Sequence, residues 1–550
     1  MRYLPLLLVL ACTVLAFGQI AGHDFLSWDD DVFLYQNPNL NPPTGASLKA
    51  VWTGPYAHLY APVTYTAWWA LARTFGTPGP GGTWLVSPTV PHVASLLVHL
   101  LVVALAYLLL LELVRSPWAA GVGAMLFALH PLQVETVAWG SELKDLLGGL
   151  FGLLAVLLYV QARRRERIAL HVLATSVFAL AVLSKPNLVA LPLVALVVDW
   201  LLLRTPPKRA LAWVAPWLAL GLAHALLTRA VQPPSPLLTL PLWQRVFVAG
   251  DALAFYLGKL AWPLRMAADY GRQPQVVAAH WWGHATWLAP AALLGVLVAL
   301  RGKSRWALPG LLWFGLALSP VLGLLPFDFQ QYSTVADHYA YLAMFGPALA
   351  LAGLALHLKG FYARLPLLLL LVLLMAQSGL QTMNWQRNEV FWRHTLEVNP
   401  RSSLAYNNLG AVYLLSHKLP EAAAQFEAAL QLQPADADAL VNLAMVRLQM
   451  GQPQQARGTL ERALQARPGD PKAHLMLGLI ALQARDYPVA VAHLQAAAAA
   501  EPQNLMARLE LANALAGWGR TAEARELLQA ILQQAPGYAP AAEALQRLER

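Results

Sequence analysis

Charge is what this 550-residue chain has least of: Asp, Glu, Lys and Arg together supply 12% of it, while 58% is hydrophobic. Soluble domains carry about 25% charged and roughly 45–50% apolar residues. A water-soluble enzyme of this size lacks the interior to hide so much apolar surface, and a disordered chain would contain far less of it. Cysteine is almost missing as well. Cys12 stands alone, inside an apolar run, which removes a disulfide framework and any Cys-based zinc site. There is no phosphate-binding P-loop, no Gly-rich dinucleotide fingerprint and no His-Glu-x-x-His zinc motif. Ser141-x-x-Lys144 lacks the companion motifs that would give it meaning and is set aside as coincidence. The chemistry, if any, is not built on a soluble nucleotide cofactor.

What the sequence does contain is a series of apolar runs, near 4–20, 90–111, 118–131, 146–160, 168–183, 188–203, 210–227, 286–300, 306–325, 340–357 and 365–383. A bilayer crossing takes about 20 such residues, fewer when the helix ends are supported. The pattern predicts an all-α, polytopic membrane bundle of about eleven spans. Two further stretches, 60–75 and 246–263, read as interfacial or re-entrant helices, because the first is rich in Tyr and Trp and the second carries Asp251, Lys259 and Pro263. The first run, behind Arg2 and with Ala16, Gly18 and Ala21 near its end, also fits a cleaved signal peptide; a retained span is the preferred reading.

Arg2, Arg115, the run Arg163-Arg164-Arg165-Glu166-Arg167, then Arg204/Lys208/Arg209, Arg301/Lys303/Arg305 and Lys359/Arg364 fall on alternate connections. The positive-inside rule makes that face cytoplasmic. The net charge of +9 lies entirely before residue 384, since residues 384–550 hold 15 basic and 15 acidic side chains. The positive balance is therefore a topology signal, and nucleic acid is not an expected partner.

After residue 383 a period takes over. Pro400, Pro434, Pro468, Pro502 and Pro536 are each 34 apart, as are Leu409, Leu443, Leu477 and Leu511, and Ala422, Ala456, Ala490 and Ala524. This spacing resembles tetratricopeptide (TPR) repeats, an α-solenoid. The expected organisation is a membrane domain over 1–383 with a first outer loop at about 21–87. A half-repeat linker at 384–402, four repeats over 403–536 and a capping helix at 537–550 follow. The concave face of such an array suits a protein or peptide segment, and its attachment after the eleventh span places it outside the cytoplasm.

The outer loops carry the ionisable residues. Ser27-Trp28-Asp29-Asp30-Asp31 stands in the first. Adjacent carboxylates at a membrane surface fit a shared proton, a cation or a general base, although their spacing alone favours a solvated acidic loop or a helix N-cap. His130-Pro-Leu-Gln-Val-Glu135-Thr-Val-Ala-Trp139 leads into Glu142-Leu-Lys144-Asp145; Ser184-Lys185-Pro186 and Ala336-Asp337-His338-Tyr339-Ala340-Tyr341 follow. Each stands where a span meets the outer face. Such charges cost about 2.5–3.5 kcal/mol at a helix centre and so lean towards function, whereas snorkelling or capping explains them at span ends. Lys144, Lys185 and His338 together would make a cationic pocket for a lipid-linked phosphate. His130 and Glu135 fit either a metal pair or a hydrogen-bonded couple.

In this order, and followed by TPR repeats, these motifs resemble the transmembrane, TPR-containing protein O-mannosyltransferases and their bacterial relatives. The resemblance implies a GT-C glycosyltransferase fold. It also implies an active site on the non-cytoplasmic face, a polyprenyl-phosphate sugar as donor and a protein or envelope acceptor, with inversion. It carries the catalytic acidic pair onto Asp29 and Asp30, with Asp30 as base and Asp29 orienting it or a cation. Donor and phosphate binding falls to Lys144, Lys185, His338 and Tyr339, and supporting roles to His130, Glu135, Asp145, Asp337 and Tyr341. His338 stands where the family has Arg, so donor affinity is expected to fall as pH rises past neutrality. A divalent cation, Mg or Mn, is a candidate cofactor with Asp29 and Asp30 as its ligands. The expected location is a bacterial inner membrane with active site and repeats in the periplasm. The alternative is a non-catalytic membrane scaffold whose repeats organise an envelope or secretion complex. A transporter is a weaker reading, since mid-span charges are scarce and no inverted repeat is visible.

Overall fold

A computed structural model describes residues 3–231, 240–302 and 304–549. Arg2 and Lys303, counted above on the basic face, lie outside the described residues, as does 232–239 of one outer loop. The chain divides into two compact units, Met1–Asn399 and Pro400–Arg550.

The first unit is a helical bundle. Among the described residues, six helical segments are long and apolar enough to cross a membrane: Leu4–Gly22, Thr89–Val114, Gly140–Arg165, Pro207–Val231, Trp281–Ala299 and Phe361–Trp385. Five shorter apolar helices accompany them, at Pro117–Leu129, Ile168–Ser184, Pro186–Leu202, Ala307–Val321 and Phe345–Ala355. Each apolar run of the sequence thus falls on an apolar helix, and the protein is an integral membrane protein. The segment around 246–263 forms an amphipathic helix, Leu242–Ala261. Its buried Asp251 is held by the fork of Arg272 at 2.7 and 3.0 Å.

Gly140–Arg165 is the centre of the bundle: 78% of its apolar window is buried, against 11% for Trp281–Ala299. It packs against Thr89–Val114 on one side and Ile168–Ser184 on the other. Peripheral helices instead leave Leu7, Leu15, Leu222 and Leu373 exposed, as lipid-facing surfaces do. Small residues let backbones meet, as is usual in membranes. Where Ala307–Leu318 crosses Phe345–Ala355, a Cβ on Gly346 would stand 2.2 Å from the Gly310 carbonyl, so only glycine fits. At its far end Leu143–Arg165 closes with Arg163, Arg164 and Arg165 and a left-handed Glu166 (φ 50°), cations where the helix dipole favours them.

The second unit is a stack of helix pairs: Ser403–Leu415 with Leu419–Leu432, Ala437–Gln449 with Pro453–Ala466, Pro471–Gln483 with Tyr487–Ala500, and Leu505–Gly517 with Thr521–Gln534, closed by Ala539–Glu549. The 34-residue period is carried by chemistry as well as by apolar packing. Ser402, Asp436, Asp470 and Asn504 each cap the first helix of a pair, accepting from the N–H of Ala405, Ala439, Ala473 and Ala507 at 2.9–3.2 Å. The turn inside each pair needs one left-handed residue, at His417, Gly451, Arg485 and Gly519. The unit is a TPR α-solenoid.

Candidate active site

The first outer loop is tied to the start of the central helix by Asp30. This carboxylate is fully buried. Its Oδ1 accepts the backbone N–H of Ser141 at 2.9 Å and the Ser141 hydroxyl at 2.6 Å, and its Oδ2 accepts the Leu26 N–H at 2.9 Å. Burial pushes its pKa up to about 7 in spite of these donors. Trp139 adds a second tie, donating Nε1–H to the Trp28 carbonyl at 2.7 Å. A third comes from Asn388, whose Oδ1 accepts both the N–H and the hydroxyl of Ser27.

Asp29 is built differently. It takes a left-handed conformation, φ 69°, which Asp tolerates better than most residues. It is only partly buried. Its carboxyl is raised by burial, opposed by the positive charge of Lys144 and reinforced by Glu142 and Asp31.

Facing this loop is a buried charge cluster on the first turn of Leu143–Arg165 and the residue after Ile168–Ser184. Lys144 Nζ lies 2.9 Å from Glu142 Oε1. Lys185 Nζ donates to Asp145 Oδ2 at 2.6 Å and to Glu142 Oε2 at 3.4 Å. The Lys144 ammonium also sits 5.2 Å from the Phe33 ring centre and 5.3 Å from that of Trp139, within cation–π range. An aromatic wall stands beside it. Trp28 meets Trp139 at 6.2 Å, Trp392 at 5.5 Å, Phe329 at 6.2 Å and Tyr332 at 6.3 Å between ring centres.

The 337–340 turn reaches the same place. Glu135 holds it, accepting the backbone N–H of Asp337 at 2.9 Å and of His338 at 3.3 Å through Oε2. Glu135 Oε1 lies 2.9 Å from His338 Nδ1. Burial, with Asp337 and Glu142 nearby, raises Glu135 well above the carboxylate range. Burial also lowers His338 to about 3. Asp337 takes the hydroxyl of Tyr270 at 2.8 Å, and burial lifts it to about 7. The Tyr256 hydroxyl donates to the Ala336 carbonyl at 3.0 Å and accepts the Ala336 N–H at 3.1 Å.

Several expectations change here. His338 is a neutral ring turned to Glu135, so the cationic pocket consists of Lys144 and Lys185 alone, and no loss of donor affinity past neutrality follows from His338. His130 and Glu135 do not pair. His130 accepts the Leu132 N–H at 3.2 Å and reaches the Leu260 carbonyl at 3.1 Å, each ring nitrogen satisfied by backbone. Tyr341 is turned into the core, its hydroxyl 2.8 Å from His99 Nδ1. Tyr339 packs edge-on to His338, Phe327 and Phe329 and offers a ring more than a phosphate ligand. Asp30, the expected base, has its oxygens committed to three donors. Glu142, Ser141, Asn388 and Tyr270 were missed as site residues; Glu142 and Ser141 lie inside motifs quoted above, while Asn388 and Tyr270 give no local signal.

Ligand atoms of Glu142, Asp145 and His338 lie within 4.8 Å of one another, a geometry a cation could use. The chemistry of the donor set argues against it. Two lysine ammonium groups already neutralise the two carboxylates, and a divalent ion would have to displace them at close quarters. Asp30 is likewise turned towards N–H donors. Neither the Glu142–Asp145–His338 group nor Asp30 fits a resident metal.

Comparison with known proteins agrees with the geometry. Residues 87–231 match the dolichyl-phosphate-mannose-protein mannosyltransferase family. Over these residues the chain is similar to that family. This match covers Lys144, Asp145 and Lys185 and leaves Asp29, Asp30 and the 337–341 segment outside it. Residues 413–480 and 475–539 match tetratricopeptide repeat families, so the segment similar to mannosyltransferases precedes a TPR array in the same chain. No curated protein matches the chain. Among solved structures, the chain is similar to YrrB, described as a TPR protein with an unusual peptide-binding site, at 23% identity over 29% of this chain and 81% of that one, TM-score 0.26. It is also similar to MamA from Desulfovibrio magneticus RS-1, at 21% identity over 26% and 82%, TM-score 0.26.

Proposed function

We propose that the protein transfers a mannose-like hexose from a polyprenyl-phosphate donor to a hydroxyl of a protein or envelope acceptor, on the non-cytoplasmic face of a bacterial inner membrane. The observation that carries this reading is the partly accessible carboxylate of Asp29, which lies within the electrostatic influence of the Lys144 and Lys185 ammonium groups. In the step envisaged, the acceptor oxygen forms a bond to the sugar's anomeric carbon. The bond from that carbon to the donor phosphate oxygen breaks, and polyprenyl phosphate leaves with the electron pair. The acceptor's proton passes to Asp29, whose pKa burial raises, making its carboxylate a stronger base. Attack opposite the leaving group inverts the anomeric centre. Lys185 and Lys144 stabilise the charge that grows on the phosphate, a term that a dry, pre-set site makes large.

Asp30 acts through geometry, fixing the loop that presents Asp29. The aromatic wall of Trp28, Phe329 and Tyr332 offers flat surfaces on which a sugar ring can rest. The TPR unit recruits the acceptor as an extended segment. Support for a lipid-linked donor comes from the family match over residues 87–231 and from a buried, cation-bearing site at a span end. The test is donor choice. The full-length protein in proteoliposomes is expected to glycosylate an acceptor extract when given polyprenyl-phosphate mannose and to leave GDP-mannose unused. Transfer from neither donor would favour the scaffold reading.

A further inference from the structure

At the opposite end of the central helix, about 30 Å from Lys144 at 1.5 Å per residue, lies a second concave site. A cavity of about 480 Å³ opens between the ends of Thr89–Val114, Leu143–Arg165 and Ala307–Leu318 and the turn at 202–205. Five arginines line it: Arg115, Arg163, Arg164, Arg209 and Arg305.

Three of the five are neutralised in place. Arg163 is buried, with Nε 2.9 Å from Asp199 Oδ2, Nη2 3.2 Å from Thr205 Oγ1 and its guanidinium 4.4 Å from the Trp213 ring centre. Arg164 pairs with Glu112, and Arg209 with Glu166 at 2.8 Å. Arg115 and Arg305 have no ion pair among the described residues; the Arg305 guanidinium lies 4.5 Å over Trp306. Two positive charges are therefore left over. A second observation is independent of that count. Arg163 is 8% exposed, and its Nη1 is buried with no hydrogen-bond partner. A buried guanidinium N–H without an acceptor is costly and calls for a ligand.

The rest of the wall says which ligand. Leu113, Val114, Leu202 and Leu203 make part of it apolar, at the level where spans end. Guanidinium forks suit phosphate oxygens two at a time, and basic pockets between span ends on the positive face hold lipid headgroups. We infer that this cavity binds the phosphate of an anionic glycerophospholipid, at a site separate from the one around Asp29. Arg115 and Arg305 contact the phosphate, with the buried Arg163 guanidinium adding positive charge behind them, and the leucine and valine side chains meet the start of the acyl chains.

The test uses the full chain and phosphatidylglycerol as probe. Protein purified from phosphatidylcholine vesicles containing about one-tenth phosphatidylglycerol is examined for retained lipid by native mass spectrometry, beside R115Q/R305Q and R115K/R305K. Both positions are exposed, so the variants should melt as the wild type does. The expected result is phosphatidylglycerol bound at least tenfold more tightly by wild type than by R115Q/R305Q, with R115K/R305K between them and phosphatidylcholine unaffected. Equal retention by wild type and R115Q/R305Q overturns the proposal. So does displacement of the lipid by millimolar inorganic pyrophosphate, which would make the ligand a soluble anion. Because lipid retention is read without any sugar transfer, its failure is distinguishable from failure of the proposed activity.

Discussion

Ser141 gives both its backbone N–H and its hydroxyl to one oxygen of Asp30, at 2.9 and 2.6 Å, across 111 residues of chain. This contact separates the roles of two neighbouring aspartates. Asp30 is the fastener of the first outer loop, and Asp29 is the carboxylate left to do chemistry.

The fastener has a pH signature. Burial raises Asp30 and Asp337 from 3.8 to about 7, so the folded protein keeps protons that the unfolded chain has already released. For acids raised in this sense, the stabilising contribution is full below pH 3.8 and is lost as pH climbs through 7. The melting temperature of the full chain in detergent should fall between about pH 5 and 7 and flatten above. Asp30→Asn should shallow that slope and cost about 1–3 kcal/mol, because its amide meets the Leu26 N–H donor to donor. A slope unchanged by Asp30→Asn would contradict the assignment.

The buried lysines should matter for both fold and donor. Lys185→Ala leaves Glu142 and Asp145 uncompensated, and breaking such a pair from one side costs about 3–5 kcal/mol. Lys185→Arg keeps the charge and should restore most of the stability. If the ammonium also meets the donor phosphate, Lys185→Arg should still show a raised KM for polyprenyl-phosphate mannose, measured as initial rates against donor concentration.

Glu135 works by accepting N–H groups at the 337–340 turn. Glu135→Gln keeps an acceptor and matches the protonated acid that burial favours, so transfer should drop by less than tenfold. Glu135→Ala removes the acceptor and should cost far more. His338→Gln should alter donor KM alike at pH 6 and pH 8, because His338 is uncharged at both. A KM gap that opens between the two pH values would restore a cationic His338.

The repeat unit offers a paired glycine test. A Cβ on Gly478 would stand 2.5 Å from Leu494 Cγ, whereas one on Gly458 meets nothing within 4 Å. Gly478→Ala should destabilise the unit by about 1–3 kcal/mol through overpacking, and Gly458→Ala should stabilise it by roughly 1 kcal/mol through helix propensity. Urea unfolding of the full chain followed by hydrogen exchange at peptides from 400–550 reads both.

What was legible in the sequence was local or periodic. The 34-residue step in Pro, Leu and Ala marked the repeats, while the caps at Ser402, Asp436, Asp470 and Asn504, which keep the same step, emerged only from the hydrogen bonds of the structure. The apolar runs marked the bundle's helices. The site was legible as a set of motifs but not as a set of contacts. Nothing near Asp30 announces Ser141, and nothing near His338 announces that Glu135, 203 residues earlier, holds it. Adjacent Asp29 and Asp30 look alike in sequence; only burial and the left-handed turn at Asp29 tell them apart.

The central claim, that Asp29 is the base of a lipid-phosphate sugar transfer, is tested most directly by the initial rate of mannose transfer from polyprenyl-phosphate mannose in proteoliposomes holding Asp29→Asn. The rate is predicted to fall 10²–10⁴-fold, the range typical of a lost general base, with melting temperature and donor KM near those of the wild type. A rate within threefold of wild type would contradict it.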